Sequence, residues 1–258
     1  MNLDLQDRII FIAGSSRGIG KAIASTLLEE GCRVALSGRD PVSLQETATE
    51  FVSLYGPHRV IPFAGDFTNP AVIAQALSDI ATQWAQIDHL ICNLGTGSGK
   101  PGWNQSEDEW QRLFNLNFFG STRLAQAAIP HLEHSTASPS ILFLSSIVAV
   151  EATPAPLPYS AAKAALANYS KNLARTLAPN IRVNTIAPGN IFFSGGSWER
   201  HLTNRREAVE HMLATEVPLH RFGTPQEIAA LAALLCSPRS AFTTGSTFIA
   251  DGGQTRSL

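Results

Sequence analysis

Short apolar runs alternate with longer amphipathic stretches almost from the first residue of the chain. "RIIFIAG" reads as a buried strand, and "GKAIASTLLEEG" after it as a helix stopped by Gly31. "RVALSG" is a second strand, followed by a helical stretch from about Pro41 to Leu54. "RVIPFAGD" is a third strand, with a helix across "PAVIAQALSDIATQWA". "IDHLICNLG" is a fourth, followed by one long helical region from about Glu107 to Leu132. "SILFLSS" precedes the helix that carries "PYSAAKAAL", "IRVNTIAPG" follows it, and "STFIADGG" supplies a seventh strand.

Strands that are apolar throughout, rather than alternating, belong to a parallel sheet covered on both faces. With right-handed crossovers, the expected fold is a doubly wound α/β domain, Rossmann-like, with seven parallel strands and helices on both sides. No linker, repeat or low-complexity tract divides residues 1–258, so one domain is expected. The rhythm breaks once, at about 192–222, where a polar stretch too long for a strand-to-helix connection predicts a substrate lid.

Composition narrows the function. With 258 residues, 44% hydrophobic and a net charge of −2, the chain can build one well-packed core. Its balanced charge gives no electrostatic reason to expect nucleic acid or membrane binding. "IAALAALLC" is too short to cross a bilayer, and "MNLDLQDR" lacks the apolar core of a signal peptide. Cys32, Cys92 and Cys236 are scattered and without metal-ligand spacing. They are expected to be reduced packing residues in a cytoplasmic protein with no metal site.

"AGSSRGIG" joins the first strand to the first helix, where a dinucleotide pyrophosphate would meet unpaired backbone N–H groups. Gly14, Gly18 and Gly20 remove side chains where backbone must approach a phosphate, although their spacing differs from the commoner G-x-G-x-x-G. An NAD site usually has an acid at the end of the second strand, for the ribose hydroxyls. Here the strand ends in Gly38 and Arg39, and Arg17 lies inside the glycine turn. Two guanidiniums favour a 2′-phosphate, hence NADP(H) over NAD(H), while Asp40 either pairs with Arg39 or points outward. Further on, Tyr159 and Lys163 stand four apart on one helix face. A phenol keeps its proton to about pH 10. A neighbouring ammonium would lower that value.

In this order and spacing, the motifs resemble those of the short-chain dehydrogenase/reductase family in its single-domain form. They are similar to members of the 3-oxoacyl-carrier-protein reductase type, and the resemblance spans essentially the whole chain. "AGSSRGIG" resembles the family's cofactor turn, with Ala13 where threonine is frequent, which adds Ser16 and Ile19 to the cofactor contacts. "GDF" implies that Asp66 contacts adenine, with Phe67 beside it. "ICNLG" stands in place of an Asn-Asn-Ala-Gly motif, leaving Asn93 and Gly95. "FNLNFFG" implies a catalytic asparagine at Asn117 rather than Asn115, and "LFLSS" a serine at Ser146 rather than Ser145. "IAPGNI" resembles the loop over the nicotinamide, with Pro188, Gly189 and Ile191. Phe193 occupies a position where threonine often binds the carboxamide, so either Ser194 substitutes or the contact is lost. "DGG" at Asp251–Gly253 matches a C-terminal signature.

The resemblance implies a carbonyl reductase, reversible to alcohol oxidation. Tyr159 would be its general acid, Ser146 a donor to the same oxygen, Lys163 a binder of the nicotinamide ribose, and Asn117 the holder of a water leading to solvent. It also implies homotetramers, or homodimers, paired through the fifth and sixth helices. The rival readings are an NAD-linked alcohol dehydrogenase and a dinucleotide-sensing protein without turnover. Two alternatives stay open for Trp198, Arg200, His201, Arg205, Arg206 and His211. They form either a cationic, partly aromatic wall for an anionic or polar substrate, or a solvated helix whose charges pair locally. Lys100 and Trp103, in "GTGSGKPGW", either face the same pocket or sit in an ordinary connector.

Overall fold

The computed structural model describes residues 1–100 and 102–256, so Pro101 of the predicted connector lies outside them. Seven parallel strands, β1 (Ile9–Ala13), β2 (Arg33–Gly38), β3 (Val60–Ala64), β4 (His89–Cys92), β5 (Ser140–Leu144), β6 (Arg182–Pro188) and β7 (Thr247–Ala250), form one sheet in the order β3-β2-β1-β4-β5-β6-β7. The order reverses between β1 and β4, the switch point at which such sheets open a crevice.

Alternate residues of each strand feed two apolar layers. Ile10 and Ile12 of β1, with Leu142 and Leu144 of β5, pack against α1 (Gly18–Glu29), α2 (Pro41–Tyr55) and α8 (Pro225–Cys236). Phe11 and Ala13, with Ile141 and Phe143, pack against α3 (Pro70–Trp84), α5 (Gly120–Leu132) and α6 (Leu157–Leu177). Helix starts follow local chemistry. Asp40 and Asn69 cap α2 and α3 with Pro41 and Pro70 at the first position, and Thr224 forms a capping box with Glu227 at α8. All three cysteines are free and buried. Among the described residues, no helix is long and apolar enough to cross a membrane.

The predicted long helix over 107–132 is observed with an interruption. α4 (Glu107–Phe114) passes through a π turn at Asn115–Phe119 before α5 begins. The stretch at 192–222 leaves the sheet after Ile191 and carries α7 (Ser197–Glu216). Its neck is tied by Phe192 N–H to Gly223 O at 2.9 Å and by Gly223 N–H to Asn190 O at 2.9 Å.

The N-terminal rim of the sheet holds buried polar groups with structural duties. The Arg182 guanidinium donates to the carbonyls of Leu235 (2.9 Å), Cys236 (3.3 Å) and Ser237 (3.3 Å), and to the Ser240 hydroxyl (3.1 Å). It thereby satisfies carbonyls at the C-terminus of α8, where the helix dipole also favours a cation. His89, fully buried, shares a 2.9 Å hydrogen bond with Ser140. Burial above all, then the nearby Arg182 and Arg8, drives its pKa down to about 3, so the native imidazole is neutral.

Two outcomes are expected. Arg182→Met strands several buried carbonyls and should cost on the order of 3 kcal/mol in denaturant unfolding. An unfolded His89 takes up a proton near its ordinary 6.5 and the native one only near 3, so stability should fall as pH drops through that window. Urea midpoints measured across the window should fall less steeply for His89→Gln than for the parent; identical slopes would show that His89 is not responsible.

Candidate active site

The glycine turn is shaped by close packing at the end of β1. A Cβ on Gly20 would collide with the Gly14 carbonyl and lie 2.6 Å from the Asn93 amide, so α1 can reach this position only with glycine. Asn93 Nδ2 donates to the Gly14 carbonyl at 2.7 Å, bolting the end of β4 to the turn. The Ser37 hydroxyl accepts from Gly14 N–H at 3.0 Å, and the Thr47 hydroxyl donates to Ser16 O at 2.9 Å. No side chain caps the N-terminus of α1, which leaves its first N–H groups available to an anion.

Two cavities open from this turn along the C-terminal rim. One, of about 260 Å³, is lined by Gly14, Ser16, Arg17, Arg39, Asp66 and Phe67. The other, of about 690 Å³, is lined by Asn117, Ser146, Tyr159, Lys163, Pro188 and Gly189, with Ile191 beside them. Ile19, Asn93, Leu94, Gly95 and Phe193 belong to both. The residues expected at adenosine and at nicotinamide therefore occupy two ends of one continuous groove. Gly18 and Gly20 shape its floor without lining either cavity.

In the larger cavity, α6 presents Tyr159 and Lys163 one turn apart. Lys163 is 4% exposed, and its ammonium donates to the Leu144 carbonyl at 2.8 Å. Burial pushes its pKa down to about 8. Burial raises the Tyr159 phenol above its ordinary value, and the neighbouring Ser146 hydroxyl opposes that rise. The expected lowering of Tyr159 by Lys163 is thus not what this geometry produces, because desolvation acts on both groups and outweighs their proximity. Ser145, the alternative serine, is committed elsewhere: its hydroxyl donates to Lys163 O at 3.0 Å.

Asn117 sits fully buried in the π turn. Its Oδ1 accepts from Thr96 N–H at 3.0 Å, and its Nδ2 donates to Leu113 O at 3.0 Å and Thr96 O at 3.1 Å. The Gly95 backbone, at φ +149°, passes so close that a Cβ would lie 2.5 Å from Asn117 Oδ1 and 3.2 Å from Lys163 Nζ. Asn115 turns away and accepts from Arg123 at 2.7 Å.

At the other end, Asp40 does not pair with Arg39. Its carboxylate accepts from Ser43 and Val42 as the α2 cap, bonds that hold it below its ordinary range. Arg39 is exposed and has no side-chain partner among the described residues. Arg17 Nη1 reaches across to Gly195 O at 3.3 Å, and the Phe193 ring packs over Gly18. Ser194 bonds Glu199 at 3.3 Å rather than turning inward. Trp103 is 84% exposed, and neither it nor Lys100 lines the cleft, whereas Gly95, Thr96 and Gly97 at the start of the same stretch do. Sequence reasoning missed Thr96, Ser37 and Gln254; the last lines the larger cavity and accepts from Asn190 at 2.8 Å. Only the neighbouring motif "DGG" pointed towards Gln254.

The groove fits a dinucleotide by its own construction: a cradle that a Cβ would fill, an uncapped helix start, and cavities on both sides. A family model described as enoyl-(acyl carrier protein) reductase matches residues 13–255. The chain is 34% identical to the rhamnolipids biosynthesis 3-oxoacyl-[acyl-carrier-protein] reductase of Pseudomonas aeruginosa, over 96% of each protein. L-sorbose reductase from Gluconobacter frateurii, solved with NADPH and L-sorbose, superposes with a TM-score of 0.92 at 30% identity over 100% of both chains. A 7α-hydroxysteroid dehydrogenase, solved with NADH and 7-oxo glycochenodeoxycholic acid, gives 0.89 at 28% identity, over 100% of this chain and 98% of that one. The chain belongs to the short-chain dehydrogenase/reductase family, oxidoreductases that act on CH–OH and C=O groups with NAD(P).

Proposed function

We propose that the protein is an NADP(H)-dependent reductase of a ketone or aldehyde, with Asn117, Ser146, Tyr159 and Lys163 as its working residues. The observation that carries this reading is the Tyr159 phenol beside Ser146 in the wall of a cleft that also holds Lys163. When bound, the nicotinamide supplies the hydride to the carbonyl carbon.

Negative charge then gathers on the carbonyl oxygen, and Tyr159 delivers the proton it needs. Its elevated pKa keeps the phenol protonated and ready to donate near neutrality. Ser146 donates to the same oxygen and fixes its approach. Lys163 holds the nicotinamide ribose, and with a pKa near 8 it can pass a proton towards the phenol at little cost. Asn117 fixes the Thr96 backbone beside the ammonium, where a water would lead to solvent. Gly14, Ser16, Gly18, Ile19 and Gly20 receive the pyrophosphate, Asp66 and Phe67 the adenine, and Asn93, Gly95, Pro188, Gly189 and Ile191 the nicotinamide half.

Arg39 supports NADP(H) over NAD(H), because an exposed guanidinium at the tip of β2, with the adjacent Asp40 committed to the α2 cap, suits a 2′-phosphate. Arg17 joins it once its bond to Gly195 is released. The tied excursion over 192–222 serves as a lid. A homotetramer built through α5 and α6 suits the exposed Phe119 at the start of α5. The chain's three free, buried cysteines suit a reducing, cytoplasmic site of action.

Tyr159→Phe should lower the rate of NADPH oxidation by about 100-fold or more while leaving NADPH affinity nearly unchanged. Absorbance and fluorescence titration read the two separately, and retained turnover would refute the acid assignment. Calorimetric titration should give a lower Kd for NADPH than for NADH, and Arg39→Ala should reduce that preference by roughly tenfold. Preference for NADH in the parent enzyme would overturn the phosphate reading and favour alcohol oxidation.

A further inference from the structure

Arg205 stands in the wall of the 690 Å³ cleft that contains Tyr159, and among the described residues it pairs with no carboxylate. Its neighbour Arg206 behaves differently, forming an ordinary ion pair with Glu210 at 3.3 Å outside the cleft. The backbone separates the two. α7 leaves helical geometry at Arg205 (φ −150°, ψ 47°), which takes this residue off the regular spiral of its charged neighbours.

Arg205 is also held in place. Its Nη2 lies 3.0 Å from His201 Nδ1, and the His201 ring packs on Trp198 at 5.3 Å. Trp198 packs on Phe222 at 5.3 Å, and Phe222 on Phe192 at 5.7 Å. Phe192 is fixed in the neck of the excursion through Gly223. Burial, then Arg205 and Arg200, lowers the His201 pKa, so the imidazole stays neutral and accepts from the guanidinium. The other guanidinium N–H groups remain for a ligand. Glu216, at the far end of α7, is the acid on the same wall and forms no ion pair with Arg205. Arg200 is spent on the Ser98 hydroxyl at 3.2 Å.

We propose that the substrate is a carbonyl compound bearing an oxyanion group remote from its C=O, and that Arg205, oriented by His201, receives that group. The inference rests on the carbonyl-reductase reading of the same cleft and adds the substrate's second handle. A guanidinium grips a carboxylate or a phosphate through paired N–H donors. Keto acids and phosphorylated ketones are the two sources of such a group.

The test uses the full enzyme with saturating NADPH and matched pairs: short keto acids against their methyl esters, and phosphorylated hydroxyketones against the free hydroxyketones. In at least one series the anionic member should be preferred by about tenfold or more in kcat/KM. Arg205→Gln should raise KM for that member by about tenfold, with kcat and the neutral partner little changed. Arg205→Lys should recover part of the loss, and Arg206→Gln should have no effect. Equal rates within both pairs would overturn the oxyanion inference while leaving carbonyl reduction standing. So would an Arg205→Gln defect shared by charged and neutral members, or no turnover of any member by enzyme that binds NADPH normally. Failure to bind NADPH would instead sink the reading on which the inference rests.

Discussion

A parallel sheet covered on both faces restricts where its polar chemistry can be placed. Every strand of this sheet runs the same way, and the inner strands β2, β1, β4, β5 and β6 are buried on both faces beneath apolar layers. Free backbone groups and buried side chains therefore gather at the two rims. At one rim, Arg182, Asp88 and His89 are consumed in holding strands and α8 together. At the other, turns of small residues leave the same kinds of group exposed to a ligand. The division of labour between structural and chemical polar residues follows from strand direction alone.

That rule explains which features were legible in the sequence. The seven strands declare themselves by apolar continuity, and the glycine turn by its place after β1. Tyr159 and Lys163 lie on one helix whose periodicity puts them on a common face, so spacing was enough to bring them together, whereas Ser146, in the turn after β5, came from the family pattern. Choosing Asn117 over Asn115 needed the family pattern; the structure supplies the physical reason, since Asn115 is engaged by Arg123. Other features depend on distant partners. Nothing near Arg17 in the chain announces a bond to Gly195, and nothing near Gly18 announces the Phe193 ring. The break at Arg205 was equally hidden, because a run of charged residues with good helix propensity gives no local signal for it.

Lys163 illustrates how context revises a motif. Spacing alone casts it as a nearby charge that acidifies a phenol. In the folded chain it is itself nearly out of water, resting on the Leu144 carbonyl beneath Gly95. Desolvation then moves lysine and tyrosine apart from nearly equal starting points, one losing basicity and the other acidity. A proton is then held more firmly by the phenol than by the ammonium, which favours transfer from Lys163 to Tyr159 once the phenol has donated its own.

The π turn at Asn115–Phe119 has a consequence for how the site is encoded. A helix advances by about 100° per residue, so one residue more or less rotates everything beyond it by that angle. The wide turn absorbs such a residue and lets Asn117 point into the cleft while α4 and α5 keep their own apolar faces inward. Information for the site is held here as phase as well as identity: deletion of a single neighbouring residue, with the asparagine itself retained, would turn its amide out of register with Thr96.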